Sequence, residues 1–177
     1  KGITKEEFEA MKPLLSDLRM AGPTTVNRET YRKALGLSPL KLVIELKYGL
    51  TLEEMLSEAK FKHVWHQITP ENFPMIPIGA MHNEAKLFHF GQELSISEVI
   101  KRMDKKGYEP AKIQHLIVFG IDLPQEQERY DIIALGSGLD HGDGSREYPY
   151  LCADRVLETH HFEDTTERSD RFLGIRK

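Results

Sequence analysis

Two short stretches of this sequence bring metal-ligand and acid–base side chains close together. Asp140-His141-Gly142-Asp143-Gly144 sets two carboxylates and an imidazole in a glycine-rich turn, which suits a divalent metal or an anion. The run is too short for an EF-hand loop, whose ligand series needs an acid about a dozen positions after the first. Asp and Gly also serve a hairpin loop with positive φ angles, and that is the preferred reading here. His160-His161, with Glu158 and Asp164 nearby, offers zinc ligands. Adjacent strand residues point to opposite faces, so both imidazoles could reach one ion only across a bulge.

The remaining reactive residue types read as structural. Cys152 follows Tyr150-Leu151 in a strand-like run and is expected to be a small, buried, inert hydrophobe. Trp65, between His63 and His66, has a ring that could stack a ligand, but its expected role is to anchor a long loop onto the core. Ser137 lacks the Gly-x-Ser-x-Gly pattern of a nucleophile elbow, and no phosphate loop or dinucleotide glycine fingerprint occurs. Glu126, Glu128, Arg129 and Asp131 read as a solvated connection.

These residues need a scaffold, and 177 residues are enough to bury a core without a metal or a disulfide. One cysteine excludes an internal disulfide and fits a reducing compartment. A formal charge of −4 argues against nonspecific nucleic-acid binding by the whole surface while leaving room for a local basic patch. No window has the ~20 apolar residues of a membrane span, and no signal-peptide core is present, so a cytoplasmic protein is expected. The sequence begins at Lys1 and not at Met, which leaves room for residues before it.

Residues 1–60 are expected to form a helical N-terminal region and 61–177 an α+β domain. Thr4 with Glu7 and Thr51 with Glu54 make capping boxes for helices over 4–21 and 51–60, and Asn27 caps a third that reaches Gly36. Leu40–Leu46 fits helix and strand equally. Residues 61–77, with three prolines, suit an ordered irregular segment. A strand follows over Lys86–Phe90, then a helix capped by Ser95 with Glu98 and closed at Gly107, then a helix opened by Pro110. Four strands complete the chain: Tyr130–Leu135, Glu147–Cys152, Arg155–Phe162 and Arg171–Arg176. A chain that ends on a strand needs an earlier partner, and Leu87–Phe90 is expected to pair with Phe172–Ile175.

That order resembles the C-type lectin fold in a disulfide-free form. Tyr108-Glu109-Pro110-Ala111, Ile133-Ala134-Leu135-Gly136-Ser137, Tyr148-Pro149-Tyr150-Leu151 and Arg171-Phe172-Leu173-Gly174-Ile175-Arg176 look like a group of uncharacterised bacterial proteins. The Trp65 segment through Asn72-Phe73-Pro74, and Phe88-His89-Phe90, look like the same group, so the resemblance covers roughly residues 50 to 177. That group is similar in its C-terminal half to the variable proteins of diversity-generating retroelements and, more distantly, to formylglycine-generating enzymes. The departures are specific. The Glu-Pro-Asn and Trp-Asn-Asp triplets of calcium-dependent sugar binding are missing, and formylglycine chemistry needs a cysteine pair where this chain has one cysteine.

The fold expected is therefore α+β, a C-type-lectin-like mixed sheet with two helices behind a small helical N-terminal region. The function expected is a non-catalytic module that binds an unknown protein or small ligand and uses no cofactor. Its binding residues are His160 with Glu163, Asp164, Thr165, Thr166, Glu167 and Arg168, and Asp140 with His141. Residues 163–170 carry five charges and no apolar side chain, which predicts an exposed loop of little weight in folding. The alternatives are a metal-assisted hydrolase using Asp140, His141, His160 or His161, and a DNA-binding regulator acting through the basic helices of residues 24–60.

Overall fold

The last strand has apolar side chains on both faces, so the chain's end must lie inside a sheet that is covered on two sides. The computed structural model describes residues 42–46, 49–75, 81–162 and 165–177. Among them the order is β1 (Leu42–Leu46), α1 (Leu52–Ala59), β2 (His63–Val64), β3 (Met81–Phe88), α2 (Ile96–Asp104), β4 (Tyr108–Pro110), α3 (Ile113–Asp122), α4 (Pro124–Gln127), β5 (Ile132–Ile133), β6 (Leu139–Asp140), β7 (Arg146–Leu151), β8 (Val156–His161) and β9 (Arg171–Arg176). The helices expected over 4–21 and 27–36 lie outside the described residues. Of the run Leu40–Leu46, Leu42–Leu46 forms strand β1, with Ile44 packed into the core opposite Asn83 of β3.

All nine strands join one mixed sheet in the order β1-β3-β9-β5-β7-β8-β2, with β4 pairing β9 and β6 pairing β7. The closing strand is central. Phe88 pairs with Phe172 and Leu87 with Leu173 across the antiparallel β3–β9 ladder, as the sequence leads one to expect, and β5 runs parallel on the other side of β9. Leu173 and Ile175 pack with α1 and α3 on one face, while Phe172 joins Phe88, Tyr148, Phe162 and the α2 residues Val99 and Met103 on the other. Gly174 lets this second layer close, since a Cβ there would lie 2.8 Å from both Met103 and Phe88.

Local chemistry fixes the helices. Thr51 and Glu54 form the expected capping box on α1, and the Ser95 hydroxyl accepts the Glu98 N–H at the start of α2. Gly107, at φ 78°, ends the turn after α2. Pro110 does not open α3: it belongs to β4, and the helix starts three residues later with Lys112 as its cap position. There the buried His115 Nδ1 accepts the Lys112 N–H at 3.0 Å and the Ser137 hydroxyl accepts the Ile113 N–H at 3.0 Å. Burial holds the His115 imidazole at a pKa of about 4, so it stays neutral and able to accept. Gly136 must be glycine, because a Cβ would sit 2.5 Å from the Pro110 carbonyl oxygen. The Ile133–Ser137 motif is thus a clasp between β4, α3 and β5.

Lys41–Lys177 forms one compact unit, with β1 and α1 part of it. Arg155 ties its helices together. From a positive φ of 70° its guanidinium donates to the Ala59 carbonyl at 2.6 Å and the Gly120 carbonyl at 3.3 Å, and its plane lies over Phe61.

Candidate functional site

Strand alternation sorts the polar residues of β7 and β8 onto two faces. In the β7–β8 ladder Tyr148 pairs with His160 and Tyr150 with Glu158, while Leu151 pairs with Leu157 in the apolar layer below. The face beyond α2 therefore carries Tyr150, Glu158 and His160, with Cys152 just past the strand. The Cys152 thiol donates to Glu158 Oε1 at 3.1 Å. The His160 ring packs between Tyr150, at 5.4 Å, and Phe162, at 4.4 Å. Asp131 enters from the start of β5, where its carboxylate accepts the Ala153 N–H at 2.8 Å.

The electrostatics of this group run in one direction. Burial, and then hydrogen bonding to Asp131, push the Tyr150 hydroxyl well above the ordinary phenol range. Burial and the Glu158 carboxylate push the Cys152 thiol up to about 12. The Asp170 carboxyl is also raised by burial, although it accepts the Glu167 N–H at 2.7 Å, and the charges of His160 and Asp131 act on it. Tyr150 and Cys152 are thereby held protonated at neutral pH as hydrogen-bond donors, and a thiol so disposed is a poor nucleophile.

Trp65 extends the site toward the edge of the sheet. Its backbone N–H donates to the Leu157 carbonyl at 2.8 Å, continuing the parallel β2–β8 ladder, while Val64 packs into the lower core. Trp65 does not anchor its loop in the core as expected: the side chain is 40% exposed and its ring lies 4.7 Å from that of His66. The loop is held instead by Phe73 and Ile68, which are buried.

The two loops expected to bind differ from each other. In residues 140–146, Gly142 and Gly144 take φ of 79° and 93°, and Asp143 accepts from the Ser145 N–H and hydroxyl, so the glycines and Asp143 build a hairpin turn. Asp140 pairs with Arg146 at 3.3 Å, and His141 Nε2 lies 3.1 Å from Glu147, whose other oxygen accepts the Thr159 hydroxyl. His160 and His161 point to opposite faces, so β8 does not bring both to one point. Among the described residues no three His, Cys, Asp or Glu side chains converge to hold a metal ion.

The second loop is docked and not freely displayed. Thr166 is buried to 2% exposure and bonded to Leu94, against the expectation of an exposed segment with little weight in folding. The Arg168 carbonyl lies 2.9 Å from His89 Nε2, and the Arg168 side chain reaches Glu93 at 3.5 Å. Thr165 and Glu167 remain exposed; Glu163 and Asp164 lie outside the described residues. Of the site residues inferred from sequence, His160 alone lies in the sheet-face group. Glu158 was expected beside His160 only as a zinc ligand, and Asp131, Tyr150 and Cys152 were not anticipated there. Their signal was the alternation that sets Tyr148 and Tyr150 of β7 on one face with Glu158 and His160 of β8.

No protein-family model, curated protein or solved structure matches the chain. The chain is a mixed α+β protein built on one large mixed sheet with four helices among its described residues. No helix among them is long and apolar enough to cross a membrane.

Proposed function

We propose that the chain is a non-catalytic binding module of the C-type-lectin-like kind, acting in the cytoplasm, which contacts a protein or small ligand through the β7–β8 sheet face. What supports the fold part is the central closing strand paired with β3, and the placing of α2 and α3 between β3 and β5. The bacterial group akin to retroelement variable proteins, named above for its motifs, remains the proposed kinship.

The observation that carries the binding reading is the Tyr150–Cys152–Glu158–His160 group, half-buried on a rigid sheet with the exposed Trp65 at its edge. Half-buried polar side chains held by strands present fixed donors and acceptors, and an exposed indole adds contact area at low entropic cost. The upward shifts of the phenol and thiol favour recognition over nucleophilic chemistry. The turns at 140–146 and 165–170 flank this face and bound the ligand instead of carrying the contact alone.

The reading is tested by affinity capture from a bacterial lysate with the native protein and with a bait carrying Trp65→Ala, Glu158→Gln and His160→Gln. Partners retained by the native bait and lost by the variant, with both baits melting alike, support it. An identical set on both baits contradicts it.

A further inference from the structure

Strand register extends the β7–β8 face into a row that crosses five strands. Trp65 follows Val64, which pairs with Leu157, so it stands beside Glu158, and Glu158 pairs with Tyr150. Ile132 pairs with Leu151 on one side and with Arg171 on the other, which sets Asp131 between Cys152 and Asp170. Leu157, Leu151 and Ile132 point into the layer of α1 and α3, so by alternation their neighbours in the row share the opposite face. Adjacent strands lie about 4.8 Å apart, so Asp131 and Asp170 are one strand apart, and Asp131 and Glu158 are two strands or about 10 Å apart.

Two properties of the row select its ligand. The first is where its protons go. The Cys152 thiol donates to Glu158 and the Tyr150 hydroxyl bonds to Asp131, so both donors are directed at carboxylates of the row, and the remaining oxygen lone pairs are what it offers. The second is its charge. Asp131, Glu158 and Asp170 form no ion pair among the described residues, and the charge of Asp131 acts on Tyr150, Cys152 and Asp170 alike. Two cationic groups act near Asp170. His160 offsets part of its charge, while Arg171 donates to the Ser169 carbonyl at 2.5 Å and lies 5.0 Å from the Tyr130 ring, which packs on the α1 and α3 layer.

We propose, resting on the binding role of this face, that its ligand is held through a cationic nitrogen group, a guanidinium or an alkylammonium, seated against Glu158 and Asp131. Such a group brings N–H donors to the lone pairs and opposite charge to the carboxylates. The exposed Trp65 indole beside Glu158 adds a cation–π surface, which a planar guanidinium covers while donating to the carboxylate. An anion would meet like charge, with the protons of Tyr150 and Cys152 already engaged. A metal ion fits less well, because Asp131 and Glu158 stand two strands apart.

The experiment is amide chemical-shift mapping of the whole ¹⁵N-labelled protein against butylguanidinium, butylammonium, neutral butanol and butyrate at equal ionic strength. The two cations should shift the amides of Trp65, Asp131, Cys152 and Glu158 and bind at least about tenfold more tightly than butanol or butyrate. Glu158→Gln and Asp131→Asn remove charge while keeping an acceptor for Cys152 and for the Ala153 N–H, and each should weaken the cations about fivefold. Glu53→Gln combined with Glu109→Gln removes two exposed carboxylates outside the row and should leave cation binding unchanged, and melting curves confirm that each variant folds. A blocked Gly-Gly-Arg-Gly-Gly peptide separates the sources: binding as tight as butylguanidinium assigns the cation to a partner's side chain, and no binding assigns it to a free small molecule. The proposal is overturned if butanol or butyrate shifts the face as strongly as the cations, in which case the face still binds and only its ligand class is wrong. It is equally overturned if the control variant weakens the cations as much as Glu158→Gln does. If none of the four compounds shifts an amide of the face, the binding role falls with it.

Discussion

Thr166 and Leu94 hold each other twice: the Thr166 N–H donates to the Leu94 carbonyl at 2.8 Å, and the Leu94 N–H donates to the Thr166 hydroxyl at 3.3 Å. The pair joins the segment before α2 to the segment before β9 across 72 residues of sequence. Thr166→Val keeps the shape but leaves the partly buried Leu94 N–H without its acceptor, which should cost about 1 kcal/mol in urea unfolding. Thr165→Val, at an exposed neighbour, should stay within about 0.5 kcal/mol. Equal effects at the two positions would show that the loop is not latched here.

Arg155 bridges the ends of α1 and α3 through carbonyls that the helices themselves leave unsatisfied. Lysine keeps the charge but cannot reach both carbonyls with a planar fork. Arg155→Lys should therefore lower stability by about 1–3 kcal/mol, read from the midpoint of chemical unfolding. No change in that midpoint would remove Arg155 from the account of the fold.

His115 makes stability depend on pH on the acid side. Its folded pKa of about 4 lies below the ordinary 6.5, so between those values the unfolded chain binds a proton that the native protein refuses. Its contribution is fully present above about 6.5 and is lost as pH falls toward 4. The unfolding midpoint at pH 5 should fall below that at pH 7, and by less in His115→Gln, whose amide oxygen can still accept the Lys112 N–H. An identical pH dependence in the variant would assign the titration to another group.

Cys152 acts on the alkaline side. Burial raises its thiol from 9.0 to about 12, so above pH 9 the unfolded chain releases a proton that the native protein keeps, and stability falls with rising pH across that window. Tyr150, raised for the same first reason, adds to the decline. The native thiol should react with a maleimide at pH 8 far more slowly than the same thiol in denaturant. Comparable rates would show an accessible thiolate and undermine the donor role assigned to it.

The sequence made the scaffold legible wherever the signal was local. The Thr51–Glu54 and Ser95–Glu98 pairs lie within one helical turn, and the apolar run of β9 announced a buried strand, with Phe88–Phe172 as its consequence. Pro110 misled because its fixed φ suits an edge strand as well as a first helical turn. Trp65 misled because large aromatic residues are buried on average, whereas Phe73 and Ile68 had already filled the space beneath its loop. The Asp131–Tyr150–Cys152–Glu158 group joins residues from three strands that only sheet register brings together, and Thr166, polar and in a charged run, gave no sign of its burial.

Backbone amide chemical-shift mapping bears most directly on the β7–β8 face as a binding site. The protein, labelled with ¹⁵N, is titrated with a fragment set of small amides, polyols and heteroaromatic compounds. The account predicts that the perturbed amides gather at Trp65, Tyr150, Cys152, Glu158 and His160, and that fluorescence of Trp65, the one tryptophan of the sequence, changes over the same concentrations. Perturbations gathered instead around Glu45, Leu50, Met55 and Asp122, which line a shallow depression on the α1 side, would contradict it, as would a β7–β8 face that no fragment perturbs.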